Sequence, residues 1–286
     1  MTDTAELLET VYTPDSQMRS PGLLLRAMVR DVWASRELSW RLFVRDVSAQ
    51  YRQSLLGVLW AFVPPIVTSI IFIVLQSRRV VDFGETPISY PVYVLVGNIL
   101  WQLFTESLNA PLKSVTAAKS LLVKINFPRE ALIVSAVYLV LFNLGIKLIV
   151  IAVIFVIFGV PLSWGLLLAP IAILMLMMLG IGLGLLLTPI GMLYTDVATS
   201  LPIIVSLAFF VTPVVYTPPQ SFPFSLIAIV NPVSPLLIAA RDLLTQGIVE
   251  NIVPFAVVSV LTILLTLVAW VIYRVALPII IERMSA

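Results

Sequence analysis

Six apolar stretches, each near the length that crosses a bilayer, decide what this chain can fold into. They are Leu55 to Leu75, Ile88 to Leu108, Ala131 to Phe158, Trp164 to Met192, Leu201 to Tyr216 and Val253 to Tyr273. A hydrocarbon core about 30 Å thick takes roughly 20 such residues as a helix. With no water in it, every backbone N–H and C=O of a span must be paired within the protein, which a helix does by itself. A seventh stretch, Ser225 to Ala240, is shorter and holds Asn231, Pro232 and Pro235. A continuous lipid-facing helix there would leave backbone groups unpaired, so it reads as a re-entrant pair of short helices within segment 218–247. The expected fold is an all-α polytopic membrane protein with six transmembrane helices. Composition agrees: 60% of 286 residues are hydrophobic, 11% are charged and mean hydropathy is +1.08.

Charge bias orients the spans. Arg19, Arg26, Arg30, Arg36, Arg41, Arg45 and Arg52 precede the first, and Lys113, Lys119, Lys124 and Arg129 lie between the second and third. The positive-inside rule makes both segments cytoplasmic, and six spans then bring Arg274 and Arg283 to the same side. Both termini are expected in the cytoplasm. Arg78 and Arg79 oppose the rule but sit beside Asp82 and Glu85. The first 50 residues carry no compact apolar core with a small-residue cleavage site, so the amino terminus is expected to remain where it is made. Residues 1–20 read as a disordered polar leader, 21–54 as cytoplasmic amphipathic interface helices and 55–286 as the transmembrane domain.

The polar stretch LSWRLFVRDVSAQYRQ runs without a Gly or Pro break into SLLGVLWAFVPP, the head of the first span. At helical spacing Leu42, Phe43, Val47 and Tyr51 fall near one face, as in a helix lying in a membrane interface with basic side chains toward lipid phosphates. Arg41, Arg45, Tyr51 and Arg52 are positioned to contact a substrate phosphate or a partner protein, or to anchor the chain to anionic lipid. Gly57, in the same joint, is expected to let helix backbones approach closely.

Cysteine and histidine are both absent, which removes thiolate metal sites, cysteine nucleophiles and imidazole general bases. No GxxxxGK[ST] phosphate loop occurs and no soluble segment is large enough for an ATPase, so any energy the chain uses would come from a partner or an ion gradient. Polar residues within the spans are expensive and therefore informative. Asn98, Gln102 and Glu106 recur every four residues on the second span, and Asn143 and Lys147 do so on the third, stripes that suit a bundle interior or a wet cavity. A Glu106 to Lys147 pair is possible if their depths agree. Phe62, Phe72, Trp101, Phe104, Tyr138, Phe142, Phe209, Phe210 and Tyr216 are candidates to line a pore, or to serve as interfacial belts and packing.

Five motifs, DVWASRELSWRLFVRDVSAQYRQSLLGVLWAFVPP, KSLLVKINFPRE, MLYTDVATSLP, FVTPVVYTPP and NPVSPLLIAARDLL, stand in the order seen in ABC-2 type polysaccharide-export permeases. From about Asp31 onward the chain resembles that family of O-antigen, teichoic acid and capsule exporters. The resemblance implies the same six-span layout (the type V exporter fold) with an interface helix, a coupling helix between spans two and three and re-entrant helices before the last span. It also implies a homodimer in the bacterial inner membrane, two copies of a separate ATPase that binds ATP and magnesium, and a lipid-linked polysaccharide as substrate, with no catalytic residue, metal, cofactor or nucleic-acid partner for this chain itself. One departure is Thr195 before Asp196, where many relatives carry Arg-Asp.

The stretch Leu112 to Glu130 is then the coupling element. Leu121, Leu122, Ile125 and Phe127 would form an apolar knob framed by Lys119, Lys124 and Arg129, a helix-in-groove arrangement. From charge alone the same stretch is an ordinary basic loop. Other readings stay open: an ABC-2 exporter of teichoic acid, lipid or drug, an ion-coupled flippase using Glu106 and Lys147, or a transferase, for which the lone Asp196 is too little.

Overall fold

The computed structural model describes residues 21–51, 57, 60, 63–80, 83–125, 127–218 and 230–285. The leader 1–20, Arg52, Phe62, the head of the first span and part of the re-entrant segment lie outside them. In chain order the elements are α1 (Pro21–Ala34), α2 (Arg36–Tyr51), α3 (Val63–Ser77), α4 (Tyr90–Ala117), α5 (Lys119–Lys124), α6 (Glu130–Phe158), a 3-10 turn (Trp164–Leu167), α7 (Ala169–Leu193), α8 (Thr195–Val211), α9 (Val233–Thr245) and α10 (Ile252–Ser285). No strand occurs among the described residues.

α6, α7 and α10 are each long and apolar enough to cross a membrane, while α3 and α8 are apolar but shorter. α4, with 28 residues, spans about 42 Å at 1.5 Å per residue but carries the polar stripe. The chain alternates between two ends of the bundle. At one end the Tyr273 hydroxyl donates to the Arg129 carbonyl and the Ser114 hydroxyl to the Leu132 carbonyl. At the other, the Thr217 N–H donates to the Phe83 carbonyl, and Gly165 meets Gly247 backbone to backbone.

α4 and α7 form the centre, with α6 on one flank and α9 and α10 on the other. Their axes come close because α7 offers glycines. A Cβ on Gly180 would lie 2.6 Å from the Ser107 Cβ and 2.8 Å from the Phe104 carbonyl, and one on Gly184 would collide with the Leu108 carbonyl. Small residues set such approaches in lipid, where tails are as apolar as side chains and packing must drive association. Three buried hydroxyls are satisfied within their own helix: Ser107, Thr188 and Thr245 each donate to the carbonyl four residues earlier.

Two expectations change here. The Leu42 and Phe43 face of α2 does not enter lipid; it is buried against α6, where Phe43 meets Tyr138 and Phe142 edge-on at 6.1 and 6.0 Å. The exposed side of this region instead carries Val29, Trp33, Trp40 and Val44. At Gly57 nothing among the described residues lies within 4 Å of an added Cβ. Its φ of +50° is the left-handed backbone that glycine adopts at no steric cost.

Replacing Gly184 by Ala is expected to destabilise the protein by about 1–3 kcal/mol through overpacking. Gly145→Ala on α6, where an added Cβ meets nothing, should be neutral or stabilising by up to about 1 kcal/mol through helix propensity. Thermal unfolding of the detergent-solubilised variants separates the two.

Candidate functional site

The polar stripe is one face of α4. Gln102, Thr105, Glu106 and Asn109 are half-buried and Lys113 and Thr116 exposed, at the i, i+3, i+4, i+7 spacing of a single helical face, while Leu103, Phe104, Ser107 and Leu108 are buried behind them. Neighbouring helices answer the stripe. Asn98 donates its amide to the Ser69 hydroxyl of α3 at 2.8 Å. Lys147 on α6, only 2% exposed, places its Nζ 2.7 Å from Glu106 Oε1, and Asn143 Nδ2 lies 3.4 Å from Oε2. The two spans thus bring the acid and the base to one depth. A buried ammonium is tolerable only with such a partner, and the arrangement puts a charged pair and a row of hydrogen-bonding groups along one face of α4.

A second polar site closes the opposite end. The TPVVY motif stops α8 after Val211, leaving the carbonyls of Pro213 and Val214 without helical partners. Arg241 of α9, 2% exposed, donates Nη1 to both, at 3.2 and 3.1 Å, and its guanidinium lies 3.6 Å from the centroid of the Tyr93 ring. The Tyr93 hydroxyl donates to the Tyr216 carbonyl, and Asn231 donates to the Thr212 hydroxyl while accepting from the Val233 N–H at the start of α9. Gly97 is required beneath this knot because a Cβ there would strike the Val214 carbonyl. The signal in the sequence for Arg241 is that a helix break inside an apolar segment demands a buried donor.

A third site sits at the first end. Arg274 of α10 bridges Asp31 of α1, at 2.7 Å, and Glu130, the first residue of α6. All three side chains are nearly buried. Sequence reading took Arg274 for a tail cation and Glu130 for a loop boundary. The available clue was a pair of acids flanking apolar runs with one basic residue inside the last.

The aromatic candidates form a packed chain. Phe72 lies 5.8 Å from Phe83 and 5.9 Å from Phe209, which meets Trp101 at 5.9 Å, and Trp101 meets Phe104 at 5.4 Å. Trp101, Phe104 and Phe209 are buried inside the subunit, whereas Phe210 and Phe142 keep exposed faces and the Tyr216 hydroxyl donates to the Phe210 carbonyl. Of the coupling candidates, Lys119, Lys124 and Ile125 are exposed, Leu121, Phe127 and Arg129 are half-buried, and Leu122 is buried in its own subunit, where α5 packs against α10. Leu122 therefore does not belong to an outward knob. Arg41 pairs with Glu37 and Arg45 with Asp46, each at 2.7 Å on the surface. Tyr51 ends α2, with its side chain outside the described residues.

Residues 37–245 match the sequence profile described as ABC-2 type transporter. A curated relative from Myxococcus xanthus, O-antigen export system permease protein RfbA, is 29% identical over 189 residues, covering 66% of this chain and 72% of its own. A protein of the same name from Klebsiella pneumoniae is 25% identical over 210 residues, covering 71% and 78%.

Two consequences are measurable. Glu106→Gln strands Lys147 as a buried, unpaired charge and should cost about 2–4 kcal/mol, less than a fully buried pair because Glu106 is partly exposed, while Glu106→Gln with Lys147→Met should recover most of that loss. A double-mutant cycle by thermal unfolding reads the coupling. Arg241→Met leaves two carbonyls unpaired and should cost about 3 kcal/mol or more, with Arg241→Lys intermediate.

Proposed function

This chain belongs to the ABC-2 type transporter family, and from that premise we propose that it is the membrane subunit of an exporter that moves a lipid-linked polysaccharide of the O-antigen kind across the bacterial inner membrane. The observation that carries the reading is the family match over residues 37–245, to which relatives named O-antigen export permeases add the cargo class. It is a multi-pass membrane protein, and the proposed arrangement has six spans with both termini in the cytoplasm. The contacts of Arg129 and Glu130 with Tyr273 and Arg274, and of Asp31 with Arg274, support that orientation, since the basic loop, α1 and the far part of α10 touch and so share a side.

Two copies would enclose the path, and a separate ATPase dimer would bind ATP and magnesium and push on the 112–130 element and on α2. The exposed Lys119, Lys124 and Ile125 are the groups α5 offers to that partner. The half-exposed Gln102, Thr105, Glu106 and Asn109 suit a hydroxyl-rich cargo, because they donate and accept hydrogen bonds without a tight pocket. A second reading, ion-coupled flipping, draws on the Glu106 to Lys147 pair; it predicts transport that survives ATP depletion and collapses with the proton gradient.

The deciding experiment is purification from native membranes together with deletion. An ATPase should copurify, surface polysaccharide should be lost on deletion, and Lys119→Glu with Lys124→Glu should weaken ATPase retention by about tenfold or more without lowering the melting temperature of the permease. Absence of any ATPase together with unchanged surface polysaccharide would refute the proposal.

A further inference from the structure

We infer that Asp31, Glu130 and Arg274 form the joint through which movement of α5 reaches α1 and α10, so that these three are positioning residues for coupled transport. The inference rests on the exporter reading. The loop that carries α5 is fastened to α10 at three points. Leu122 is buried where α5 packs on α10, the Tyr273 hydroxyl donates to the Arg129 carbonyl, and Arg274 holds Glu130. Glu130 is also the first residue of α6, so its carboxylate sits where the helix dipole favours a negative charge. Asp31 ties α1 to the same guanidinium.

The electrostatics make the joint stiff. Two carboxylates share one buried cation, each bonded to a different nitrogen of its fork. Arg30 approaches Asp31 only to 3.8 Å and its side chain is 73% exposed, so it offers weak relief. If α5 drew Glu130 away, Arg274 would have to follow, carrying α10 and Asp31 with it, or an uncompensated charge would remain in a nearly buried site. The surface pairs Arg41 with Glu37 and Arg45 with Asp46 impose no such condition, because water replaces the partner when they part. α10 is suited to follow as a unit. It is one helix of 34 residues, with Pro278 inside it, whose Tyr273 is tied to the joint; Val257, Val260, Leu261 and Leu264 are exposed, and on the other face Thr266 donates to the Met178 carbonyl of α7.

The test uses the permease with its ATPase subunit in proteoliposomes. Because the chain has no cysteine, Ser120→Cys on the exposed side of α5 and Arg283→Cys on α10 give a spin-labelled pair that leaves Lys119 and Lys124 in place. In the otherwise unaltered complex the label distance should stay constant between nucleotide-free and vanadate-trapped states, the two helices moving together. A distance that changes on trapping overturns the joint without need of any substitution within it. Glu130→Gln should keep ATP hydrolysis within about twofold while transport per ATP falls about tenfold, and Glu130→Asp should restore part of the ratio. Hydrolysis and transport that fall together at an unchanged ratio mean a merely structural role and overturn the inference. A wild-type complex that hydrolyses ATP but moves no polysaccharide refutes the exporter reading instead, a result separable from either failure of the joint.

Discussion

A chain that leaves a helix inside an apolar bundle must find side-chain donors for the backbone carbonyls of the turn that follows, and the end of this molecule opposite α1 is organised around that requirement. The break after Val211 frees the carbonyls of Pro213 and Val214, and Arg241 answers both. To do so it must be buried, and to be buried it needs the face of Tyr93, which places α4 under α9. Gly97 follows from the same geometry, as does the Asn231 cap that starts α9 at the right height. One uncompensated pair of carbonyls thus determines the relative placement of three helices.

Buried charge recurs with a different solution at each level of the bundle. Arg241 is held by carbonyls and a ring, Lys147 by one carboxylate and Arg274 by two. Such pairs stabilise little compared with well-packed apolar side chains, but breaking one is costly, so each specifies which groups must remain together. The packing between them is done by small residues and hydroxyls that bond their own helix, which lets α4 and α7 approach without leaving a polar atom toward lipid.

Much of the layout could be read from the chain. The apolar runs fall on α3, α4, α6, α7, α8 and α10, and the Asn231, Pro232 and Gly247 punctuation brackets α9. The Asn98, Gln102, Glu106 stripe also lies on one face of α4 because helical periodicity is local. What could not be read was contact between elements distant in sequence. Leu42 and Phe43 look equally apolar whether they meet lipid or α6, and Leu122 looks like a docking residue although it is buried within the subunit. Aromatics gave no direction either: Trp101 and Phe209 turn inward, Phe210 outward, although all lie in similar apolar surroundings.

By itself, then, the sequence determined that this chain is an all-helical, multi-pass membrane protein, because hydropathy and period act through near neighbours and the solvent. The tertiary structure alone decided which charges meet. Glu106 and Lys147 lie 41 residues apart, and Asp31 and Arg274 lie 243 apart. At those separations only the packing of whole helices sets a distance, and a difference of one helical turn would leave each of these ions without its partner.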